Sequence, residues 1–124
     1  GFNKGYFYEP TVFDNVKDDF KIMKEEPFGP LTPILAFKDF DDVVKRANNQ
    51  VAGLAAYVCT GSIELANKTS ESLETGMVAV NTPFISNAET PFGGIKQSGY
   101  GREGGSMGIK DYLNIKYTHL GIIN

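Results

Sequence analysis

The 124-residue sequence has one cysteine, one histidine, no tryptophan and no long apolar run. A single cysteine cannot form a disulfide within the chain, which fits a reducing compartment. The longest unbroken apolar stretch, residues 54–59, is far shorter than the roughly 18 residues that a membrane-spanning helix needs. No basic segment followed by an apolar one opens the chain, as it would in a secretory signal. The sequence therefore predicts a cytoplasmic protein with no membrane partner.

Positive charge is also scarce. The chain carries 12 basic and 15 acidic side chains, for a net charge of −3, and the basic residues are scattered. A nucleic-acid-binding face needs clustered positive charge, so we expect no nucleic-acid partner. His119 is the only histidine, and no group of ligands with metal-site spacing accompanies it. We therefore expect no metal.

What the sequence does contain is typical of a folded α/β domain. Residues 33–37, 54–59 and 77–80 are apolar runs of strand length, and residues 54–59 do not alternate, which indicates burial on both faces. Asp39 caps an amphipathic helix, and a second helix runs from Ser62 to about residue 74. Alternating strands and helices predict parallel strand–helix–strand units.

Two further segments have a distinct pattern. The loop 81–92 follows the third strand, where functional residues of parallel sheets usually lie. After a short helix at about residues 105–113, residues 115–123 resemble a strand outside this alternation, which must pair with something or remain an exposed edge. The chain begins without methionine, in loop-forming residues, so both a processed chain and an excised fragment stay open.

Gly99, Gly101 and Gly104 form the pattern G-x-G-x-x-G, which is typical of dinucleotide-binding turns. That turn needs a preceding strand, a helix opening through it and an acidic residue about twenty positions later. Residues 91–98 are expected to form a loop, and no acidic residue stands at that later position. The pattern therefore predicts a tight turn and not a nucleotide site.

Other residues invite functional hypotheses. Cys59 lies in an apolar run without a basic neighbour, which predicts a packed and inert thiol. Glu25 and Glu26 precede Pro27-Phe28-Gly29-Pro30, a segment whose prolines exclude helix. One interpretation is a solvated charge pair before a turn. The other is a rigid turn that displays a carboxylate, able to accept hydrogen bonds from ribose hydroxyls, and a ring that can pack on a flat heterocycle.

The stretches "GYFYEPTVF", "KEEPFGP", "RANNQVAGLAAYV", "ETGMVAVN" and "PFGGIKQSGYGREGG" follow one another as in the C-terminal quarter of the aldehyde dehydrogenase superfamily. Nearly the whole chain resembles that family, and "NTPFISNAETPFGGIKQSGYGREGG" with "IKDYLNIKY" is most similar to succinate-semialdehyde dehydrogenases. The resemblance implies that residues 1–114 are the C-terminal part of an α/β catalytic domain. It also implies that residues 115–124 are a strand that joins subunits into a homo-oligomer.

The resemblance assigns roles to five residues. It implies an NAD or NADP cofactor, with Glu26 holding the nicotinamide ribose and Phe28 packing beside the nicotinamide. Ser86 stands where semialdehyde dehydrogenases bind the distal carboxylate of the substrate, and Phe92 lines the same tunnel. Glu103 matches a glutamate tied to the family's proposed proton-relay lysine, which makes it a possible part of a proton relay.

The implied reaction is oxidation of an aldehyde, succinic semialdehyde, to the carboxylic acid. In the family, the catalytic cysteine, the general-base glutamate and the nucleotide-binding domain precede the position of Gly1. Cys59 does not match the nucleophile motif, so we expect this chain alone to be inactive. Two other interpretations stay open, namely a self-standing α/β ligand-binding module and an assembly module without catalysis.

Overall fold

The structure is a computed structural model that describes residues 4–123. The first three residues of the predicted domain 1–114 and the last residue of the predicted strand 115–124 therefore lie outside the described residues. The chain divides into two compact units, Gly1–Gln50 and Val51–Asn124. The predicted domain boundary after residue 114 is a different division and stays a prediction.

The first unit is built on a short parallel pair of strands. Strand β1 (Thr11–Phe13) pairs with β2 (Leu31–Pro33), with Thr11 opposite Leu31. A 3-10 helix, Lys21–Met23, lies in the connection between them. Helix α1 (Phe40–Asn48) follows and confirms the predicted helix. It begins where predicted, because the side chain of Asp39 accepts a hydrogen bond of 2.9 Å from the backbone N–H of Asp42.

The strand predicted over residues 33–37 is wrong in its position, since β2 ends at Pro33. Its partner β1 ends at Phe13, and Asn15 then takes a left-handed backbone conformation with φ of 53°. The backbone that follows β1 changes direction at Asn15, so the apolar residues after Ile34 have no strand to pair with. The carbonyl of Ala36 instead accepts a hydrogen bond of 2.7 Å from Arg46.

The second unit contains the predicted strand–helix–strand arrangement. Strand β4 (Ala55–Val58) runs parallel to β5 (Met77–Val80), and helix α2 (Ile63–Ser72) connects them. The hydroxyl of Ser62 accepts from the backbone N–H of Leu65 at 3.2 Å, so the predicted cap is confirmed. The second unit also has an antiparallel pair that the sequence did not indicate, made of the two-residue strands β3 (Ala52–Gly53) and β6 (Ile95–Lys96).

The buried apolar residues of the second unit are Ala66, Met77 and Ala79. The prediction that residues 54–59 are buried on both faces is wrong, because β4 is only half-buried and Tyr57 is 57% exposed. Cys59 is exposed as well, which contradicts the expectation of a packed thiol. Neither face of this parallel pair is therefore fully covered within the unit.

Residues near the end of the chain form little regular structure. A 3-10 helix, Gly108–Tyr112, stands where a short helix was predicted. Residues 114–123 are exposed and form no strand in the part of the chain that is described, so the terminal strand is not confirmed. No helix formed by residues 4–123 has the length and apolar character needed to cross a bilayer.

Candidate functional site

The first candidate segment is the proline-bent stretch after the 3-10 helix of the first unit. Its two glutamates differ, since Glu25 forms an ion pair of 3.3 Å with Lys21. The side chain of Glu26 makes no ion pair or hydrogen bond with any residue of the range 4–123. Of the two carboxylates, Glu26 is thus the one available to a ligand.

The backbone of this stretch turns through contacts between near neighbours. The N–H of Gly29 donates to the carbonyl of Pro27 at 2.9 Å, and the N–H of Leu31 donates to the carbonyl of Gly29 at 2.8 Å. The ring of Phe28 is 96% exposed at the tip of the turn. The rigid turn is therefore present, and it presents both an acid and a ring. A solvated turn would have the same exposure, so the roles of Glu26 and Phe28 stay predictions.

The second candidate segment is the loop that follows β5 in the second unit. It begins at Asn81, whose backbone takes a left-handed conformation with φ of 55°. The Asn81 side chain contacts the backbone of Thr60 twice: Oδ1 accepts from the N–H at 2.9 Å, and Nδ2 donates to the carbonyl at 2.8 Å. The Asn81 N–H also donates to Val58 at 2.8 Å. Asn81 thus ties the carboxyl end of β5 to that of β4.

Within this loop, Ser86 is exposed and Phe92 is half-buried. The backbones of Phe92 and Glu103 exchange two hydrogen bonds of 2.7 Å, which brings these two predicted site residues together. The structure gives Ser86 no such partner. Its hydroxyl lies between the two fixed ends of the loop and remains accessible.

The glycine-rich pattern forms a turn, as predicted, since no helix opens through it. The expectation that residues 91–98 form only loop is wrong in one detail, because β6 occupies two of them. Arg102 holds the turn, since its Nη1 donates to the carbonyls of Gly94 at 2.7 Å and Gly101 at 2.9 Å. The carboxylate of Asp111 accepts from the Arg102 N–H at 3.2 Å.

An open cavity of about 640 Å³ lies beside this turn. Phe92 and Glu103 both line it, whereas Ser86 does not. The other lining residues are Leu54, Gly93, Gly94, Ser98, Gly99, Tyr100, Gly101, Arg102, Gly104, Gly108, Asp111 and Tyr112. The cavity thus combines aromatic rings, exposed backbone and charged groups of both signs.

The remaining candidates do not assemble into a reactive centre. Cys59 follows β4 and is exposed. The ring of His119 lies in the terminal segment, with its Nδ1 3.3 Å from the hydroxyl of Tyr117. Across residues 4–123, no three His, Cys, Asp or Glu side chains converge in a way that could hold a metal ion.

Comparison with known proteins supports this fold. The chain matches the sequence model of the Aldehyde dehydrogenase family over residues 1–118. It is 49% identical over 118 residues to mitochondrial succinate-semialdehyde dehydrogenase of Arabidopsis thaliana, covering 95% of this chain and 22% of that relative. It is 53% identical over 114 residues to aldehyde dehydrogenase 1A1 of Mesocricetus auratus, covering 92% and 23%. A solved NAD+ complex of aldehyde dehydrogenase from Bacillus cereus has a TM-score of 0.90 at 46% identity, covering 94% and 24%.

The chain therefore belongs to the aldehyde dehydrogenase family, and its α/β fold is the one found in those enzymes. It spans less than a quarter of the length of these relatives. One of them is named for succinate semialdehyde and another only for aldehydes, yet the two match about equally well. Overall similarity therefore defines the family and leaves the substrate to individual residues.

Sequence reasoning missed the side-chain role of Asn81. It identified the loop that Asn81 opens, but not the pair of hydrogen bonds to Thr60 that fixes it. A signal was available, because asparagine tolerates left-handed backbone and often hydrogen-bonds nearby main chain at the ends of strands. The partner, 21 positions away in the sequence, could not be identified without the strand pairing.

Proposed function

We propose that this chain forms the C-terminal portion of an NAD(P)-dependent aldehyde dehydrogenase that oxidises succinic semialdehyde to the carboxylic acid. The observation that carries the proposal is the match over 95% of the chain, at 49% identity, to a succinate-semialdehyde dehydrogenase. Since aldehyde dehydrogenase 1A1 matches at 53% identity, the choice of substrate depends on Ser86.

The proposed cofactor contact involves the proline-bent stretch. When bound, NAD(P) would supply the acceptor for the hydride that leaves the substrate. The residues fit this group, because the unpaired carboxylate of Glu26 can accept from ribose hydroxyls and the exposed ring of Phe28 can pack beside the nicotinamide. Holding the ring in one orientation contributes strongly to the rate of such a transfer. Pro27 stiffens the backbone between the two groups.

The proposed substrate contacts lie in the second unit. The hydroxyl of Ser86 can donate to the distal carboxylate of an acidic aldehyde, which a phenyl ring at that position could not do. Phe92, half-buried at the end of the loop, lines the path of the substrate. The backbone of Glu103 pairs with Phe92, and its carboxylate makes no ion pair among the described residues. It is thus available to a proton-relay lysine elsewhere in the enzyme.

We place the nucleophilic cysteine in another part of the enzyme. Cys59 is the only cysteine of the chain, and His119, its only histidine, lies within a separate and exposed segment. Large apolar side chains exposed along the chain, such as Phe84 and Tyr100, would then be covered by the remaining polypeptide. The purified 124-residue chain should produce no NAD(P)H from succinic semialdehyde, and steady production would contradict this.

We also propose that residues 115–124 form a subunit contact. The exposed segment 114–123 has no strand partner within the described chain, and Ile115 and Ile122 are almost fully exposed. An exposed apolar segment with a strand-like sequence and no partner can pair with another chain. Deletion of residues 115–124 should lower the oligomeric state of the complete enzyme in sedimentation velocity. An unchanged assembly would refute this contact.

The substrate assignment is tested with Ser86→Ala in the complete enzyme. Because a hydrogen bond to a charged group is worth about 1.5–3 kcal/mol, KM for succinic semialdehyde should rise about ten-fold or more. KM for propanal, which has no distal carboxylate, should stay unchanged. Ser106→Ala, at an exposed serine outside the loop, is the matched control. An equal effect of Ser86→Ala on both aldehydes would show that the substrate class is wrong.

A further inference from the structure

The loop that carries Ser86 is fixed at two separated places, and Ser86 stands between them. At its start, the side chain of Asn81 forms the two hydrogen bonds to the backbone of Thr60 described above. The amide acts as an additional step of the parallel ladder between β4 and β5. Thr60 is itself held, since its hydroxyl accepts from the N–H of Ser62 at the beginning of α2.

The second anchor lies on the glycine-rich turn. The N–H of Gly105 donates to the carbonyl of Ala88 at 3.0 Å. Gly104 and Gly105 both have left-handed backbone, with φ of 70° and 53°. A Cβ at Gly104 would lie 2.7 Å from the carbonyl oxygen of Thr90, and a Cβ at Gly105 would lie 2.8 Å from that of Glu89. The loop backbone packs directly on this glycine pair, so a side chain at either position would displace it.

Between the anchors, the loop has its own local support. The side chain of Asn87 accepts hydrogen bonds of 3.0 Å from the backbone N–H groups of Glu89 and Thr90. Before this turn, the N–H of Phe84 donates to the hydroxyl of Thr82 at 3.2 Å, so residues 82–86 also have a local hydrogen bond. The position of the Ser86 hydroxyl is therefore set by residues that do not touch it.

From this arrangement we propose that Asn81 and Gly105 are positioning residues, which fix the Ser86 hydroxyl for a substrate that carries a distal carboxylate. The inference rests on the proposed function of Ser86. It also explains the glycine-rich pattern, because these glycines would support the loop that carries Ser86 and would not bind a nucleotide. A binding group must be held to within a fraction of an ångström by its supporting residues, so loosening either anchor should weaken substrate binding.

The test compares Asn81→Ala and Asn81→Gly in the complete enzyme with Asn67→Ala, a change at an exposed asparagine of α2. Loss of two hydrogen bonds should raise KM for succinic semialdehyde about ten-fold, with kcat and KM for propanal unchanged. Asn81→Gly permits the left-handed backbone but cannot bond to Thr60, so it should behave like Asn81→Ala. Full recovery in Asn81→Gly would overturn the role of the side chain.

Gly105→Ala tests the second anchor, with Gly61→Ala as the control because a Cβ at Gly61 meets nothing within 4 Å. We expect a selective rise in KM of about five-fold, which corresponds to about 1 kcal/mol in total, since backbone strain and displacement of the loop both move the Ser86 hydroxyl. Amide hydrogen exchange over residues 82–90 should accelerate in the variants at both anchors. Unchanged exchange there would overturn the proposal even if a variant proves too unstable for kinetics.

The experiments distinguish an error in the positioning inference from an error in the proposed function. If Ser86→Ala leaves KM for succinic semialdehyde unchanged, the proposed substrate is wrong, whereas faster exchange in Asn81→Ala would still support the anchor. If Ser86→Ala raises that KM but both anchor variants leave it unchanged, only the positioning inference is wrong. An equal rise in KM for both aldehydes would likewise contradict a role specific to the distal carboxylate.

Discussion

The two candidate segments of this chain are held in different ways. The stretch from Glu25 to Pro30 is stiffened from within, by its prolines and by hydrogen bonds between neighbours such as Gly29 and Pro27. The loop from Asn81 to Phe92 is held from outside, by Thr60, Glu103 and Gly105, which lie far from it in the sequence. A segment can thus be held rigid by its own prolines and local hydrogen bonds, or by contacts with residues that are distant in the sequence.

The difference has consequences for how each segment responds to mutation. A locally stiffened turn loses a little order when one proline is replaced, because the remaining bonds persist. A loop that depends on close backbone contacts fails when a distant glycine gains a side chain. We therefore expect substitutions in the second unit to have larger effects on stability and substrate binding than substitutions in the first unit. The following predictions test that order.

The largest effect is expected at Gly76, just before β5. A Cβ there would overlap the carbonyl oxygen of Gly93, the residue that follows the loop, and this oxygen belongs to the backbone and cannot rotate away. Gly76→Ala should lower the free energy of unfolding of the complete enzyme by about 3 kcal/mol, measured by urea unfolding. Gly61→Ala is the control. Equal stability of the two variants would show that this contact does not hold the loop.

A smaller effect is expected at Pro27, which stiffens the first segment. Replacement by alanine adds freedom to the backbone between Glu26 and Phe28, at a cost of about 0.4–1 kcal/mol. KM for NAD(P) should therefore rise about two- to five-fold in Pro27→Ala. Pro10→Ala, at an exposed proline outside the segment, should leave it unchanged. A rise above that obtained with Gly105→Ala for the aldehyde would reverse the proposed ranking.

The smallest effect is expected at the ion pair between Lys21 and Glu25. Both side chains are largely exposed, and exposed pairs of this spacing contribute about 0.3–0.5 kcal/mol. Lys21→Met should change neither KM for NAD(P) nor the midpoint of thermal unfolding measurably. A marked loss of activity would indicate that the carboxylate of Glu25, and not that of Glu26 alone, has a functional role.

The same contrast explains what could be predicted from sequence. Helices α1 and α2, with their caps at Asp39 and Ser62, follow from side-chain periodicity and local hydrogen bonding, and both predictions are confirmed. Strand β5 was located correctly from its run of apolar residues. The rigid turn around Pro27 was also predictable, because proline fixes its own backbone and that of its neighbour.

Features that depend on distant partners could not be predicted. The position of β2 depends on where β1 ends, and the hydrogen bonds of Asn81 depend on the register of β4 and β5. The exposure of Cys59 was missed because an apolar run indicates that burial is favourable. It does not identify the surface that covers these residues. The terminal residues 115–123 have a strand-like sequence, but they find no partner within the described chain and form no strand.

The central claim is that Glu26 binds the nicotinamide ribose of the cofactor in the complete enzyme. The most direct measurement is the steady-state turnover of Glu26→Gln beside that of Glu25→Gln, which changes the adjacent and ion-paired carboxylate in the same way. We predict that kcat falls about ten-fold or more in Glu26→Gln, because a charge-assisted hydrogen bond that orients the cofactor is weakened, and stays unchanged in Glu25→Gln. Equal turnover in the two variants would contradict the claim.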